Sequence, residues 1–299
     1  MLYFCREIEE LMEKRRLIVL AITAILGLVI VGCGNLRNQG GDELESDSIA
    51  ADSAQADTMR LSDEEELISE TPMPTAADEF FDDFFFNFAA NPKLQLARIA
   101  FPLTLVDNKE KKTVQKKQWK MDNFFMRQGY YTQIFDNQRQ IDLSKESTVE
   151  QVILERINLR SEHVQRYIFA RKKGKWMLTE IRNERIDDNV NASFLNFYKR
   201  FVADSVFQIE SLDDQVTFSS PSPDDEFETQ SGEIVPEQWP MFKPELIPNH
   251  VIYNMIYDGQ IVPGSNQKIF MIRGVANGME SQLVFKKKGG RWRLVEFDS

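Results

Sequence analysis

Cysteine and histidine are nearly missing from this chain: there are two of each among 299 residues, Cys5, Cys33, His163 and His250. Both cysteines fall within the first 33 positions, so everything after Cys33 is without disulfides, thiolate nucleophiles or cysteine metal sites. A zinc site would then need three or more converging nitrogen or carboxylate ligands, and no HxH or HExxH spacing occurs, so no metal is expected. His163 stands in the polar stretch Ser161-Glu162-His163 and reads as a solvated surface residue. A GxSxG elbow is lacking, and so is a glycine-rich phosphate loop, because Lys288-Gly289-Gly290-Arg291 reads as a hairpin turn. No catalytic motif and no cofactor site is expected. A long apolar run is missing as well. The uncharged stretch 17–31 has fifteen residues, against the roughly 20 that a bilayer-spanning helix needs.

That short stretch follows Lys14-Arg15-Arg16 and ends Ile30-Val31-Gly32-Cys33. A basic segment, a short apolar segment and small residues at a cleavage point are the parts of a secretory signal. The last four residues resemble the lipobox of bacterial lipoproteins. The resemblance implies cleavage before Cys33, diacylglycerol on its thiol and a stable membrane anchor of more than one acyl chain. Residues 1–11 hold three glutamates and fit a signal poorly, which makes Met12 the expected start. The expected location is the cell envelope, lipid-anchored in the outer membrane on its periplasmic or surface-exposed side.

Aromatics are missing from residues 34–78, where twelve acids stand against two bases, Arg37 and Arg60. Such a segment has too little apolar surface to offset the entropy of ordering and is expected to be a disordered tether, about 35–40 Å long on average. The formal net charge of the chain is −11, and nearly all of it lies in this tether.

Residues 79–188 and 189–299 read as two copies of one unit. Phe81, Phe84 and Phe88 align with Phe194, Phe197 and Phe201; Gln118-Trp119-x-Met121 aligns with Gln238-Trp239-x-Met241; and Gly174-Lys175-Trp176 aligns with Gly290-Arg291-Trp292. The offsets are 113, 120 and 116, the drift that loop insertions produce. Each copy opens on apolar residues at the spacing of one helix face, with Asp78 or Thr75 available to cap the first helix. Aromatic and β-branched runs such as Tyr130–Phe135 and Val251–Tyr257 read as strands. Each copy closes on a basic glycine hairpin, while residues 92–120 and 205–245 are polar and poorly periodic.

A helix followed by a curved sheet that ends in Lys-x-Gly-x-Trp strands resembles the nuclear transport factor 2-like, or cystatin-like, α+β superfold. With the lipobox and acidic leader, the chain is similar to an uncharacterised family of Bacteroidetes lipoproteins, here with the domain duplicated. The resemblance implies two tandem α+β units, each an amphipathic helix packed on a curved antiparallel sheet.

Enzymes of that superfold work with an acid or base and a hydrogen-bond donor inside the cone. The nearest residues here are Tyr130, Tyr131, Tyr253 and Tyr257 with Asp136 and Asp258. Asp136 and Asp258 stand in Asp-Asn and Asp-Gly contexts that favour strand-to-strand turns over catalysis. Trp119, Tyr131, Trp239 and Tyr253 are the candidate ligand-contacting residues, although a shared core role is the simpler account of tryptophans paired in a repeat. Lysines at 109–120, 171–175 and 286–291 read as solvated turns without a net basic domain, which argues against nucleic acid. The expectation is a non-catalytic binding or scaffold protein, its partner an envelope protein or small ligand; the alternative is a hydrolase or lyase using carboxylates in one cone.

Overall fold

The computed structural model describes residues 73–107, 109–221, 228–260 and 262–298. The stretch expected to be a signal peptide, Cys33, and the expected tether up to residue 72 lie outside the described residues. The first repeat runs α1 (Phe81–Ala90), α2 (Pro92–Ala97), β1 (Ile99–Asp107), β2 (Glu110–Val114), β3 (Tyr130–Phe135), α3 (Gln138–Leu143), β4 (Gln151–Asn158), β5 (His163–Lys172) and β6 (Lys175–Arg185). The second runs α4 (Ala192–Ala203), α5 (Ser205–Glu210), β7 (Leu212–Pro221), β8 (Thr229–Ile234), α6 (Trp239–Phe242), β9 (Val251–Tyr257), β10 (Gln267–Gly274), β11 (Glu280–Lys288) and β12 (Arg291–Asp298). Apart from α3 and α6, each element of one repeat has its counterpart in the other. Short helices and strands also occupy the polar stretches that showed no periodicity.

The α+β architecture is as expected, with two differences in the sheets. Each six-stranded sheet is mixed, because β1 runs parallel to β6 and β7 parallel to β12 while the other pairs are antiparallel. The larger difference is an exchange. The sheet orders are β2-β1-β6-β5-β4-β9 and β8-β7-β12-β11-β10-β3, so each repeat gives one strand to the other's sheet. β9 pairs with β4 from Val152↔Tyr257 to Asn158↔Val251, and β3 pairs with β10 from Phe135↔Ile269 to Tyr130↔Gly274. Period-two alternation marks a strand but says nothing of which repeat supplies its neighbour.

The exchanged strands face each other without a backbone ladder between them. Thr132 Oγ1 donates to the Tyr253 carbonyl and accepts from the Tyr253 N–H, both at 2.7 Å, and Asn254 Oδ1 accepts from the Ile134 N–H at 2.9 Å. These side chains satisfy edge groups that would otherwise be buried without partners. Alternation sends Tyr131 and Phe135 of β3, with Tyr253, Met255 and Tyr257 of β9, into the first core, and Ile134 and Ile252 into the second. Glu155, fully buried at this seam, accepts from Asn189 at 2.8 Å and Asn254 at 3.0 Å and pairs with Arg166 at 3.4 Å. Burial pushes its pKa up, against the Arg166 charge.

α1 buries Phe81, Phe84, Phe85, Phe88 and Ala89, and α4 buries Phe194, Leu195, Tyr198 and Phe201. Each phenylalanine or leucine among them contributes about 1.5–3 kcal/mol by leaving water. The expected cap of α1 is not made: the N-cap is Phe80, with no side-chain cap bond, and Asp78 closes a 3-10 turn, Thr75–Asp78. Asp78 is buried, so the ordered fold begins inside the stretch read as tether. Both basic hairpins form as read. Lys173 and Gly174 take φ of 54° and 75°, and Gly289 and Gly290 take 55° and 78°, the two left-handed residues of a tight hairpin turn. Asp258 and Gly259 make a turn, as expected, and the Asp258 carboxylate accepts from the Glu150 and Gln151 N–H groups at 2.9 Å. Asp136 makes no hairpin turn. It precedes Asn137, the N-cap of α3, because this connection is long enough to hold a helix, and it pairs with Lys268 at 2.5 Å.

Candidate functional site

The tryptophans are held in repeat-equivalent positions. Trp119 Nε1 donates to Gln95 at 3.0 Å, and Trp239 Nε1 donates to Gln208 at 2.9 Å, from the α2 and α5 helices of their own repeats. Trp239 is 1% exposed, while Trp119 is half-buried at the edge of the first core. Tyr131 and Tyr253 come together instead around Phe125, at ring distances of 4.8 Å and 5.3 Å. The structure therefore joins two of the four candidate residues, with Trp119 at the edge of the same core and Trp239 in the other.

The Tyr253 hydroxyl accepts from Arg156 Nε at 2.9 Å, and the Arg156 guanidinium lies 5.4–5.7 Å from the rings of Phe124, Tyr167 and Tyr253. Its other end pairs with Asp122 at 2.5 Å, and Asp122 also accepts from the Tyr167 hydroxyl at 2.9 Å. Burial, followed by the Asp122 charge, drives the Tyr167 pKa far up. This aromatic cage is filled by the protein's own cation.

The nearest approach to an acid–base pair involves Asp82, which accepts from the Tyr257 hydroxyl at 2.9 Å. Burial pushes the Asp82 carboxyl up to about 6, against the hydrogen bond from Tyr257 and the charge of Arg273. The sequence pointed to Tyr257 but paired it with Asp258, its chain neighbour, rather than with Asp82 on a helix 175 positions away. Tyr130 stays half-buried at the start of β3. His163 and His250 are both exposed, with His163 opening β5 rather than lying in a loop.

Two cavities differ in size and surroundings. One, about 20 Å³, lies at the seam beside Asp136, Gln140 and Asn254 and has room for about one water. The other is a groove of about 410 Å³ on the second repeat, between α4, α5 and the β11–β12 hairpin. Phe197, Phe207 and Trp292 supply its apolar surface. Arg200, Lys287, Arg291 and Arg293 line it, and Glu210 is the one acid among its lining residues. Arg200 lies 3.9 Å over the Phe207 ring, and Lys287 is 5.4 Å from Trp292. Arg293 is held by the carbonyls of Glu210 and Leu212. In sequence Lys287 and Arg291 read as solvated turn residues, and α5, which carries Phe207 and Glu210, lay in a stretch without periodicity. The available signal was a break in the repeat, since Ser211 stands where the first copy has Arg98.

A crystal structure of an NTF2-like protein from Bacteroides fragilis is 35% identical to this chain, with a TM-score of 0.69, covering 76% of this chain and 98% of that one. Among curated proteins, none matches. Residues 61–299 match the family described as Domain of unknown function (DUF4348), and the chain belongs to that family, built on the NTF2-like fold.

Proposed function

We propose that this protein is a lipid-anchored binding or scaffold module of the cell envelope, without catalytic activity, which engages its partner through the groove of the second repeat. The observation that carries this reading is where the open space lies. Both cores are filled by phenylalanine, tyrosine and tryptophan, whereas the roughly 410 Å³ groove is outside them, apolar beneath and cationic around. Pockets with an apolar lining and a few convergent polar groups are ordinary binding sites. Fold alone would not distinguish a binder from an enzyme. Cys33 would supply the membrane attachment, with an envelope protein or small ligand as the partner.

Native mass spectrometry of the full chain, extracted gently from envelope membranes, tests this reading. A reproducible adduct lost on Arg291→Glu is the expected result. A wild-type mass free of any adduct, together with no cross-link from the groove in intact cells, overturns it. The second reading, a hydrolase or lyase, has one observation in its favour: Asp82, with its raised pKa, beside Tyr257. An adduct that survives Arg291→Glu but is lost on Asp82→Asn would favour that reading.

A further inference from the structure

The two repeats can be superposed residue by residue around the groove. The Leu178 N–H donates to the Arg98 carbonyl at 2.8 Å, and the Leu294 N–H donates to the Ser211 carbonyl at 2.9 Å, so Arg98 and Ser211 hold the same place. In the first repeat the Arg98 guanidinium lies 5.6 Å over Phe84, the counterpart of Phe197. It grips both carboxylate oxygens of Asp78 at 2.6 Å. The Trp176 N–H adds a bond to the same carboxylate at 3.2 Å.

Arg171, 4.6 Å over the Trp176 ring, donates to the Asp78 and Glu79 carbonyls at 2.7 Å and 2.6 Å. Here, then, a short acidic segment crosses the helix–hairpin cleft, its carboxylate and carbonyl oxygens held by two arginines over aromatic rings. In the second repeat, Ser211 is too short to fill that space, and Phe197 is left half-buried where Phe84 is fully buried. Lys287 stands at the position of Arg171, over Trp292, with Ser193 Oγ as its partner at 3.2 Å. Arg291 is exposed and makes no ion pair among the described residues.

We propose that the second groove takes an extended acidic segment of a protein partner, held as Asp78 and Glu79 are held in the first repeat. This rests on the reading of the groove as the binding surface. Four lining cations against the Glu210 carboxylate, with Asp204 3.9 Å from Arg200 beyond the lining, leave the groove net positive and favour an anionic occupant. The aromatic surface and the roughly 410 Å³ volume suit a peptide of a few residues rather than a bare ion.

The test is fluorescence anisotropy of a labelled octapeptide with the sequence of residues 73–80, Met-Pro-Thr-Ala-Ala-Asp-Glu-Phe, titrated with the full chain in neutral detergent. Saturable binding is expected. It should weaken at least ~10-fold when the two acids of the peptide become Asn and Gln, when Arg200→Glu and Arg291→Glu are combined, and as salt rises. Ser211→Arg should abolish it by filling the groove. If that variant melts early, the doubly substituted chain, altered only at exposed positions, decides the matter.

Absence of binding to wild-type protein, or binding indifferent to the charge reversals, overturns the proposal. Binding to phosphatidylglycerol vesicles without binding to the peptide overturns it in favour of a lipid surface. A partner cross-linked in cells from the groove, with no peptide binding, would sink this inference while leaving the groove as the binding surface.

Discussion

Around the helix–hairpin cleft the two repeats share backbone, aromatic floor and turn chemistry, and differ in one decisive side chain. With Arg98 the first cleft is closed by an internal ion pair; with Ser211 the second is open. A closed cleft turns the charges of Arg98, Arg171 and Asp78 to holding the chain entry in place. An open one leaves Arg200 and Arg291 exposed at its rim, with Arg200 over Phe207 and Lys287 over Trp292. Duplication supplies two copies of a fold, and a short side chain in place of a long one at a rim position leaves one cleft open.

The largest expected effect separates the two floors. Phe84→Ala should cost about 4 kcal/mol, the usual range for a fully buried phenylalanine, and Phe197→Ala about 1–2 kcal/mol, because its site already opens to solvent. Urea denaturation of both variants measures the gap, and equal losses would mean that the clefts are packed alike.

Next comes the closing pair. Asp78→Ala strands Arg98 in a buried site and should cost about 3 kcal/mol. Burial alone would raise the Asp78 pKa, but hydrogen bonds from Arg98 and the Trp176 N–H, with the Arg98 charge, outweigh it and hold it below the ordinary value. Since the folded pKa is depressed, this stabilisation is complete above the unfolded value near 3.8 and is lost as pH falls below it. Denaturation of Asp78→Asn should therefore show a shallower loss of stability on acidification than wild type.

Asp82 has the opposite sign. Its folded pKa of about 6 exceeds the unfolded 3.8, so stability falls as pH rises from about 4 to 6. Asp82→Asn should gain on the order of 1 kcal/mol at pH 7, after allowing for solvent screening, with the gain vanishing below pH 4. A gain that persists at pH 3 would assign the effect to packing. The smallest effect belongs to the open rim: Arg200→Glu and Arg291→Glu should each change stability by less than about 0.5 kcal/mol in the same denaturation assay.

Much of the fold was legible in the chain. Helix-face periodicity gave α1 and α4, and the Lys-x-Gly-x-Trp blocks gave both closing hairpins, because these depend on local spacing and on turn conformations only some residues adopt. The α1 cap was misread, since a carboxylate near a helix start can cap it or be drawn to an arginine twenty positions on, and spacing cannot rank the two. None of the candidate residues Trp119, Tyr131, Trp239 and Tyr253 lines the groove. Asp82, Arg200 and Arg293 were not singled out, because their surroundings are assembled from distant segments.

Composition and pattern by themselves determined that this chain is an α+β duplication with no cysteine in its folded part. What only the tertiary structure decided is the exchange of β3 and β9, the filling of the aromatic cage by Arg156 and the opening of one cleft but not the other. Each depends on which of several chemically equivalent partners lies nearest, and that choice is made by packing between segments apart in the chain, where sequence spacing carries no geometry.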